Sequence, residues 1–369
     1  MKLRLLVPTL REHFANAASI LQAFENAGFR TSYDLLFGGP PEMLFSKLPH
    51  GTISYSGLQY FLEQVATATA AHGLAGDVVL EEEQNIKSAQ FGGETGVLEL
   101  DEMAAGAFGA YGVTEVSGSA ASRLVLWIVV RHLAQYGESS ALWIDTSYDF
   151  SIDQAVLALQ SIPFKDAATA LDRLQVSRSL ELSEVYDALD ALQNAITTLA
   201  QTNSYRPSTI RYVVISPINA IFSQLLSGTS SQGHAILSTF MHRLSALARS
   251  FRLTFLVVNS VVASQGQNPL SAFPSTITKP GLGPTFTFLC ENTIWTAAAD
   301  SIFPDGDEAL TILRDENPNC RVFVAECFRS RNQMSRTWCP FAIRNGSVIE
   351  AVDWPAKEDD EAPIEEGGM

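Results

Sequence analysis

The feature that most constrains this chain is an alternation, between residues 113 and 344, of strand-length apolar runs with longer segments of helical periodicity. The runs at 212–216 and 253–259 are continuously apolar rather than alternating in polarity. Continuous runs of this length are typical of strands that are buried on both faces. Because helices lie between the strands, consecutive strands can run parallel and be covered on both sides. The sequence therefore predicts an α/β core built on a mostly parallel sheet.

The predicted elements of this core follow from the same patterns. Strands are predicted near 113–116, 141–145, 212–216, 253–259, 293–297, 322–327 and 338–344, and helices at 123–136, within 151–200 and at 234–251.

The first 74 residues have a different pattern. Apolar stripes between residues 7 and 72 are interrupted by Gly28, by Gly-Gly-Pro-Pro at 38–41 and by Pro-His-Gly at 49–51, which predicts short helices. We predict a helical N-terminal domain at 1–74, an acidic linker at 75–100, the α/β core at 101–352 and a disordered acidic tail at 353–369. The linker carries Glu81–Glu83, a run that favours a basic partner.

Charge and cysteine content exclude several classes of protein. The formal net charge of the 369 residues is −16, and the excess acidity lies near the two ends, so nonspecific binding of nucleic acid by the whole surface is not expected. No apolar run of membrane-spanning length occurs, and Arg11 and Glu12 interrupt any secretory signal. The four cysteines form no Cys-x-x-Cys pair, which favours reduced thiols in an intracellular protein over a zinc module.

A strand end followed by an apolar helix, at 113–136, occupies the position at which a P-loop would be expected. A P-loop reads G-x-x-x-x-G-K-[ST]: its backbone N–H groups bind phosphate, its lysine neutralises charge and its hydroxyl binds Mg²⁺. Counted from Gly118 through Ala121 and Ser122, this chain places Arg123 at the second glycine, Leu124 at the lysine and Val125 at the hydroxyl. A one-residue deletion instead places Arg123 at the lysine. In either register the hydroxyl is absent, so a strand–turn–helix without a ligand is favoured over a phosphate site that uses Arg123.

Two further positions lack the residues of a nucleotide hydrolase. A carboxylate that holds Mg²⁺ is expected at the end of the strand 212–215, where Ser216 stands. The strand 141–144 ends in Asp145, but Thr-Ser-Tyr-Asp follows, without a glutamate to polarise water. We therefore predict no catalytic residue, no cofactor and no metal.

The chain from about residue 77 to 350 resembles the eukaryotic RecA-type DNA-recombinase paralogues, and among them the D paralogue. The resemblance rests on several short motifs: Val-Thr-Glu-Val-Ser-Gly at 113–118, Trp-Ile-Asp at 143–145, Phe-Leu-Val-Val-Asn-Ser-Val-Val at 255–262, Lys-Pro-Gly-Leu-Gly at 279–283, Asn-Thr-Ile at 292–294 and Arg-Ser-Arg at 329–331. The ordered pair formed by Asn259 and the Lys-Pro-Gly-Leu-Gly segment is its strongest part. The departures at Arg123, Leu124, Val125, Ser147 and Ser216 are similar to those of fungal Shu-type accessory subunits.

The resemblance implies a RecA-like core and a nuclear, non-catalytic subunit of homologous-recombination DNA repair. Such a subunit pairs with another recombinase paralogue and helps load or stabilise the strand-exchange recombinase on single-stranded DNA. It contacts the DNA directly or through its partners. One alternative is a diverged, active DNA-dependent ATPase that uses Arg123 for phosphate and Asp145 or Asp149 for Mg²⁺; ATP and Mg²⁺ would be its cofactors. A second alternative is a RecA-fold scaffold outside recombination.

The resemblance also implies that two loops, here 227–233 and 263–278, face DNA. Neither loop supplies a basic residue before Lys279. A denser group of arginines, with Phe328 and Trp338 interleaved, follows at Arg321, Arg329, Arg331, Arg336 and Arg344. Arginine with aromatic side chains suits contact with single strands, although an exposed, solubilising face has the same composition. The candidates for DNA contact are Lys279, Arg329, Arg331 and Arg336.

Overall fold

The computed structural model divides into two compact units, Met1–Asn85 and Ile86–Met369. The residues that the structure describes are 3–70, 75–88, 92–201, 210–226, 231–263, 268–303, 311, 319–331, 333–352 and 354.

The N-terminal unit is helical, as the sequence predicts. After a 3₁₀ turn at Leu3–Leu6, its helices are α1 (Val7–Leu10), α2 (Ala17–Asn26), α3 (Ser32–Phe37), α4 (Pro41–Lys47), α5 (Tyr55–Thr69) and α6 (Gly76–Ser88). Phe24 stacks on Phe61, with ring centroids 5.9 Å apart, in a core to which α1 to α5 contribute. Thr31 and Asp34 form a reciprocal capping box at the start of α3, which satisfies backbone donors that a helix N-terminus leaves free.

The segment predicted as a linker, 75–100, is partly helical. Helix α6 occupies 76–88, with Asp77 in its first turn, where a carboxylate is favourable. Helix α7 (Leu98–Ala104) begins before the segment ends. Glu81 is exposed, as a solvated acidic stretch requires.

Among the residues that the structure describes, the second unit is built on a nine-stranded sheet. The strands are β1 (Gly112–Gly118), β2 (Ser140–Asp145), β3 (Leu174–Arg178), β4 (Ile210–Ser216), β5 (Thr254–Asn259), β6 (Val261–Ala263), β7 (Thr278–Pro280), β8 (Asn292–Ala298), β9 (Cys320–Ser330), β10 (Thr337–Arg344) and β11 (Val348–Glu350). Their order in the sheet is β11-β10-β9-β8-β1-β5-β4-β2-β3, while β6 and β7 form a separate antiparallel pair. Strands β8, β1, β5, β4, β2 and β3 run parallel, and β9, β10 and β11 extend the sheet antiparallel.

Helices cover both faces of this sheet, which explains the continuously apolar strands. They are α8 (Ala121–Gln135), α9 (Ile152–Gln160), α10 (Leu182–Gln201), α11 (Asn219–Leu226), α12 (Ser231–Phe251) and α13 (Gly283–Leu289). Along β4, Val214 packs into the layer of α8 and α9, whereas Val213 and Ile215 pack into the layer of α10 and α12. Successive side chains point to opposite faces of a strand, so a strand between two apolar layers must be apolar at every position.

The prediction of a mostly parallel sheet with helices on both sides is confirmed, and two features were missed. Helices were predicted within 151–200, and the structure adds β3 between α9 and α10. This short edge strand shows no buried pattern, because its Gln175 and Val176 are both exposed. The late strands β9–β11 are antiparallel because tight connections join them. Hairpins of this kind reverse the chain direction, whereas a parallel pair needs a crossover.

The predicted disordered tail, 353–369, falls mostly outside the described residues. Its described residue, Trp354, packs against Phe303, with ring centroids 4.7 Å apart. The core therefore extends at least to Trp354.

Two further observations concern membrane-spanning helices and the state of the cysteines. None of the helices in the described part of the chain is long and apolar enough to cross a bilayer. All four cysteines are free thiols, and Cys290, Cys327 and Cys339 are buried.

Candidate functional site

The turn between β1 and α8 contains only Ser119 and Ala120, because the strand ends at Gly118 and the helix begins at Ala121. Gly118 has a φ of +110°, a conformation that side chains with a Cβ rarely adopt. A Cβ at this position would also lie 1.7 Å from the Thr296 carbonyl oxygen. Only glycine therefore fits this close approach of β1 to β8.

The backbone donors of this turn are already bonded to β8. The Ser119 N–H donates to the Thr296 carbonyl oxygen at 3.2 Å, and the Ala120 N–H donates to the Thr296 hydroxyl at 3.2 Å. That hydroxyl in turn donates to the Ser117 carbonyl oxygen at 3.0 Å. A phosphate-binding loop needs such N–H groups directed at its ligand, whereas here Thr296 engages two of them.

The first turn of α8 is inserted into the core. Leu124 and Val125 have no exposed surface, and Ala121 is 1% exposed. Ser122 is exposed and Arg123 is half-buried. Both residues at the predicted lysine and hydroxyl positions are therefore packing residues of the α8 layer of the core.

At the ends of β2 and β4, the carboxylate of Asp145 is used to hold its own loop. Its Oδ1 accepts from the N–H groups of Ser147 at 3.2 Å and Asp149 at 3.3 Å, and its Oδ2 accepts from the Phe150 N–H at 3.2 Å. Ser216 lies opposite Asp145 in the parallel register. The Ser147 hydroxyl donates to Asp149 Oδ2 at 2.8 Å, so both aspartates are hydrogen-bonded within the loop.

The space between these residues is small. A cavity of about 20 Å³ is lined by Ser122, Asp145, Asp149 and Ser216, among others. A cavity of this size holds about one water molecule, whereas pockets for organic ligands are typically about 300–1,000 Å³.

Arg123 lines a different cavity. It borders an open space of about 370 Å³ together with Cys320, Arg321 and Asn345, at the antiparallel side of the sheet. Arg123 therefore lines a different cavity from Asp145 and Asp149, the residues with which the alternative ATPase would combine it.

A buried hydrogen-bonded cluster lies one strand away from the turn. Asn259 Nδ2 donates to Glu115 Oε1 at 2.7 Å and to the Gly281 carbonyl oxygen at 3.0 Å, and the Thr293 hydroxyl donates to Glu115 Oε2 at 3.0 Å. Desolvation by burial raises the pKa of Glu115 to about 7, and these hydrogen bonds oppose the rise. The motifs that carry the resemblance, including Asn259 and the Lys-Pro-Gly-Leu-Gly segment, therefore meet in space and join β1, β5 and β8.

The arginines predicted to contact DNA are bonded to backbone carbonyl groups. Arg329 Nη1 donates to the carbonyl oxygens of Thr287 at 3.1 Å and Cys290 at 2.9 Å, and Arg331 Nη2 donates to that of Phe288 at 3.3 Å. Cations near the last carbonyl groups of a helix are favourable. Both arginines thus stabilise the C-terminal end of α13.

Several of these candidates nevertheless surround one groove, which we call the basic groove. It has a volume of about 440 Å³ and includes Lys279, Pro280, Pro284, Phe288, Arg329 and Arg336 in its lining. The side chain of Arg336 also donates to the Pro269 carbonyl oxygen. Arg331 is not among the lining residues, and Arg321 lines the separate cavity beside Arg123.

The two loops predicted to face DNA are partly described. Residues 227–230 and 264–267 lie outside the described residues, and Ser231 begins α12. In the second loop, Glu326 of β9 accepts from the Ser271 hydroxyl at 2.6 Å and from the Ala272 N–H at 2.5 Å. This segment is therefore anchored on the sheet.

Glu326 and Thr296 are the structurally important residues that sequence reasoning missed. Glu326 is fully buried within β9, and desolvation raises its pKa. A lone carboxylate in the apolar run 322–328 was a usable signal, because buried charges require partners. Thr296 gave no such signal, because threonine is common in strands.

The chain is similar to a known protein family and to several known proteins. The family model described as Rad51 matches residues 89–289. The "DNA repair protein RAD51 homolog 4" of Bos taurus is 24% identical over 274 residues, which cover 73% of this chain and 78% of the relative. The mouse (Mus musculus) protein of the same description is 23% identical over 270 residues, which cover 72% of this chain and 78% of the relative. The crystal structure of the RadB recombinase matches with a TM-score of 0.49 and 20% identity, covering 71% of this chain and 100% of that chain.

The matched family segment contains β1, α8, the strands β2–β5 and all of α13. It therefore includes both the turn at Gly118 and the Glu115–Asn259 pair. The parallel strands and the two helical layers are those of the RecA-like α/β fold that the resemblance implied. Since the family model matches more than half of the chain, the protein belongs to the Rad51 family.

Proposed function

We propose that this protein is a non-catalytic recombinase paralogue, a nuclear subunit that acts in homologous-recombination DNA repair. It pairs with another recombinase paralogue and helps to load or stabilise the strand-exchange recombinase on single-stranded DNA. Membership of the Rad51 family and the similarity to relatives named as DNA repair proteins support the pathway.

The observation that carries the non-catalytic part is the turn between β1 and α8. Its Ser119 and Ala120 N–H groups bond to Thr296, and the residues at the lysine and hydroxyl positions are buried apolar side chains. The nearby carboxylate of Asp145 accepts three backbone hydrogen bonds. This arrangement supports a degenerate P-loop that performs no ATP hydrolysis.

A subunit without nucleotide must associate through permanent protein surface. The edge strand β3 is hydrogen-bonded to β2 and to no other strand among the described residues. Val176 of this strand and Leu180, two residues after it, are exposed, and Arg178 lies 5.4 Å from the ring centroid of exposed Tyr148. An open edge with exposed apolar side chains can accept a strand from a partner, so we assign the paralogue interface to this edge.

Contact with single-stranded DNA is proposed at the basic groove. Lys279, Arg329 and Arg336 supply positive charge there, and Arg329 lies 4.6 Å from the ring centroid of exposed Phe288. Charge that follows the backbone, combined with an aromatic ring for stacking, is the usual composition of single-strand sites.

Calorimetric titration with ATP and Mg²⁺ tests the non-catalytic assignment. We expect no binding by the wild type and none by the Arg123→Ala variant. Micromolar binding that Arg123→Ala abolishes would establish the diverged ATPase instead.

Complementation of cells that lack the gene tests the rest of the proposal. Arg123→Ala should restore resistance to replication-blocking damage, and Val176→Asp should not, because it replaces an exposed apolar side chain of the proposed interface with a charged one. Gln175→Asp, at the adjacent exposed position of the same strand, is the matched control for charge alone. Recovery of machinery unrelated to recombination, by affinity purification of the protein, would favour the scaffold outside recombination.

A further inference from the structure

The basic groove is a mixed surface, with cations set around apolar walls. Pro280, Pro284 and Phe288 line it together with Lys279 and Arg336. Phe288 is 57% exposed. Among the described residues, no carboxylate forms an ion pair with Lys279, Arg329 or Arg336. A complementary occupant is therefore acidic and carries at least one apolar side chain.

The end of the described chain lies close to this groove. Trp354 contacts Trp338, with ring centroids 6.2 Å apart, and Trp338 contacts Phe273 at 5.2 Å. Trp338 follows Arg336 by two residues, and Phe273 follows the lining residue Leu270 by three. Trp354 thus packs against Trp338, which in turn packs against Phe273. Both of these residues lie within three positions of a residue that lines the groove.

The 15 residues that follow Trp354 have the composition that the groove requires. Residues 355–369 contain six carboxylates, at Glu358, Asp359, Asp360, Glu361, Glu365 and Glu366, against one lysine, Lys357. Pro363 and Ile364 lie between the two acidic runs. A chain of this length spans up to about 50 Å, which is ample for the distance from the aromatic cluster to the groove.

We propose that the acidic C-terminal segment 355–369 binds in the basic groove of its own chain. Its carboxylates pair with Lys279, Arg329 and Arg336, and Ile364 packs against Pro280, Pro284 and Phe288. Tethering raises the local concentration of the segment to the millimolar range, so weak contacts are sufficient. The segment then competes with any other polyanion for the same cations. This inference goes beyond the proposed function and does not depend on it, because the groove and the segment are both parts of this chain.

A labelled peptide of residues 355–369, followed by fluorescence anisotropy, tests the proposal. The recipient is the full-length chain in which the six acidic residues of the segment are changed to their amides, so that its own segment no longer competes. We expect the peptide to bind this variant at least about tenfold more tightly than the wild type, in which the tethered segment is present in excess. Binding should weaken as salt is added.

Lys279→Glu, introduced into the amidated chain, locates the binding site. Lys279 is exposed, and the change should weaken peptide binding by at least about fivefold, because an attractive pair becomes a repulsive one. Lys165→Glu is the matched control: Lys165 is also exposed but lies between α9 and β3, on the other side of the sheet. If Lys279→Glu does not fold, as judged by circular dichroism, Lys279→Gln replaces it.

Three results would overturn the proposal. The first is no binding of the peptide to the amidated chain, and the second is equal binding to the amidated chain and the wild type. The third is an equal effect of the substitutions at Lys279 and Lys165. All three can occur whether or not the protein acts in recombination, so this test and the complementation test fail independently.

Discussion

Two structures at the same edge of the sheet, the turn after β1 and the cluster around Asn259, have opposite chemistry. The turn is closed because its N–H groups bond to Thr296, and it leads into an apolar first turn of α8, whose Leu124 and Val125 lie in the core. The cluster is polar and buried, and its hydrogen bonds run between side chains of neighbouring strands. Ser117 of β1 and Asn259 of β5 are register partners, so the two regions are immediate neighbours. The chain therefore has polar connections between its strands, while apolar residues occupy the positions at which a ligand would bind.

The largest effect expected is that of placing a lysine in the first turn of α8. Leu124→Lys should lower the free energy of unfolding by more than about 4 kcal/mol, because it buries an unpaired charge in the α8 core. Chemical denaturation measures the loss, and Ser122→Lys, at the exposed neighbouring position, should change stability by less than about 0.5 kcal/mol. A stable Leu124→Lys variant that binds ATP would break the comparison, because the turn would then be open.

The polar cluster should make the stability depend on pH. Glu115 has a pKa raised from 4.5 to about 7 in the folded chain, so the folded state keeps a proton that the unfolded state releases. Below about pH 4.5 Glu115 is protonated in both states and costs the folded state nothing. As the pH rises to about 7, the free energy of unfolding falls, and above that pH the loss stays constant at about 3 kcal/mol.

Glu115→Gln removes this titration and retains the shape of the side chain. The variant should gain stability relative to the wild type by up to about 3 kcal/mol between pH 4.5 and 8, as measured by denaturation at several pH values. Other titrating groups contribute equally to both proteins and cancel in the difference. A difference that stays constant over this range would contradict a neutral, buried Glu115 at low pH.

A moderate effect is expected where the turn meets β8. Thr296→Val preserves the side-chain shape but removes the hydroxyl that bonds to Ala120 and Ser117, so it should lower the free energy of unfolding by about 1–3 kcal/mol. Thr337→Val, at an exposed position of β10, is the control and should change stability by less than about 0.5 kcal/mol. Equal effects of the two changes would mean that Thr296 does not hold the turn closed.

The smallest effect is expected at Arg123. Arg123→Ala should change the free energy of unfolding by less than about 0.5 kcal/mol, because the side chain is half-buried and borders an open cavity. Thermal denaturation measures this difference. A loss of several kcal/mol in the free energy of unfolding would mean that Arg123 helps to hold the turn closed. The comparison would then be sharper, because one charged residue would belong to the otherwise apolar region.

Much of the core could be predicted because burial on two faces leaves a direct trace in sequence. Strands β4 and β5 are continuously apolar since each lies between two helical layers. Strand β3 left no such trace, because it is at the edge and its side chains are partly exposed. The antiparallel direction of β9 to β11 was also missed, because apolar pattern alone does not report strand direction.

For the candidate sites, too, some features could be predicted from the sequence and others could not. That Leu124 and Val125 stand at the P-loop positions of the lysine and the hydroxyl can be read directly from residue identity. The engagement of the turn by Thr296 could not be predicted, because 176 residues separate Thr296 from Ala120 in the chain. Likewise, the sequence did not show which arginines line the same cavity. Arg329 and Arg336 line the basic groove, whereas Arg321 lines the cavity beside Arg123.

The sequence by itself determined the α/β class, the helical N-terminal unit and the identity of the residues at each strand end, since local periodicity and residue chemistry are properties of the chain alone. Only the tertiary structure decided which of those residues meet. The pairing of β1 with β8 closes the turn at Gly118, and the pairing of β1 with β5 brings Asn259 to Glu115. Contacts between distant strands depend on which strands are neighbours in the sheet, and no local pattern encodes that order.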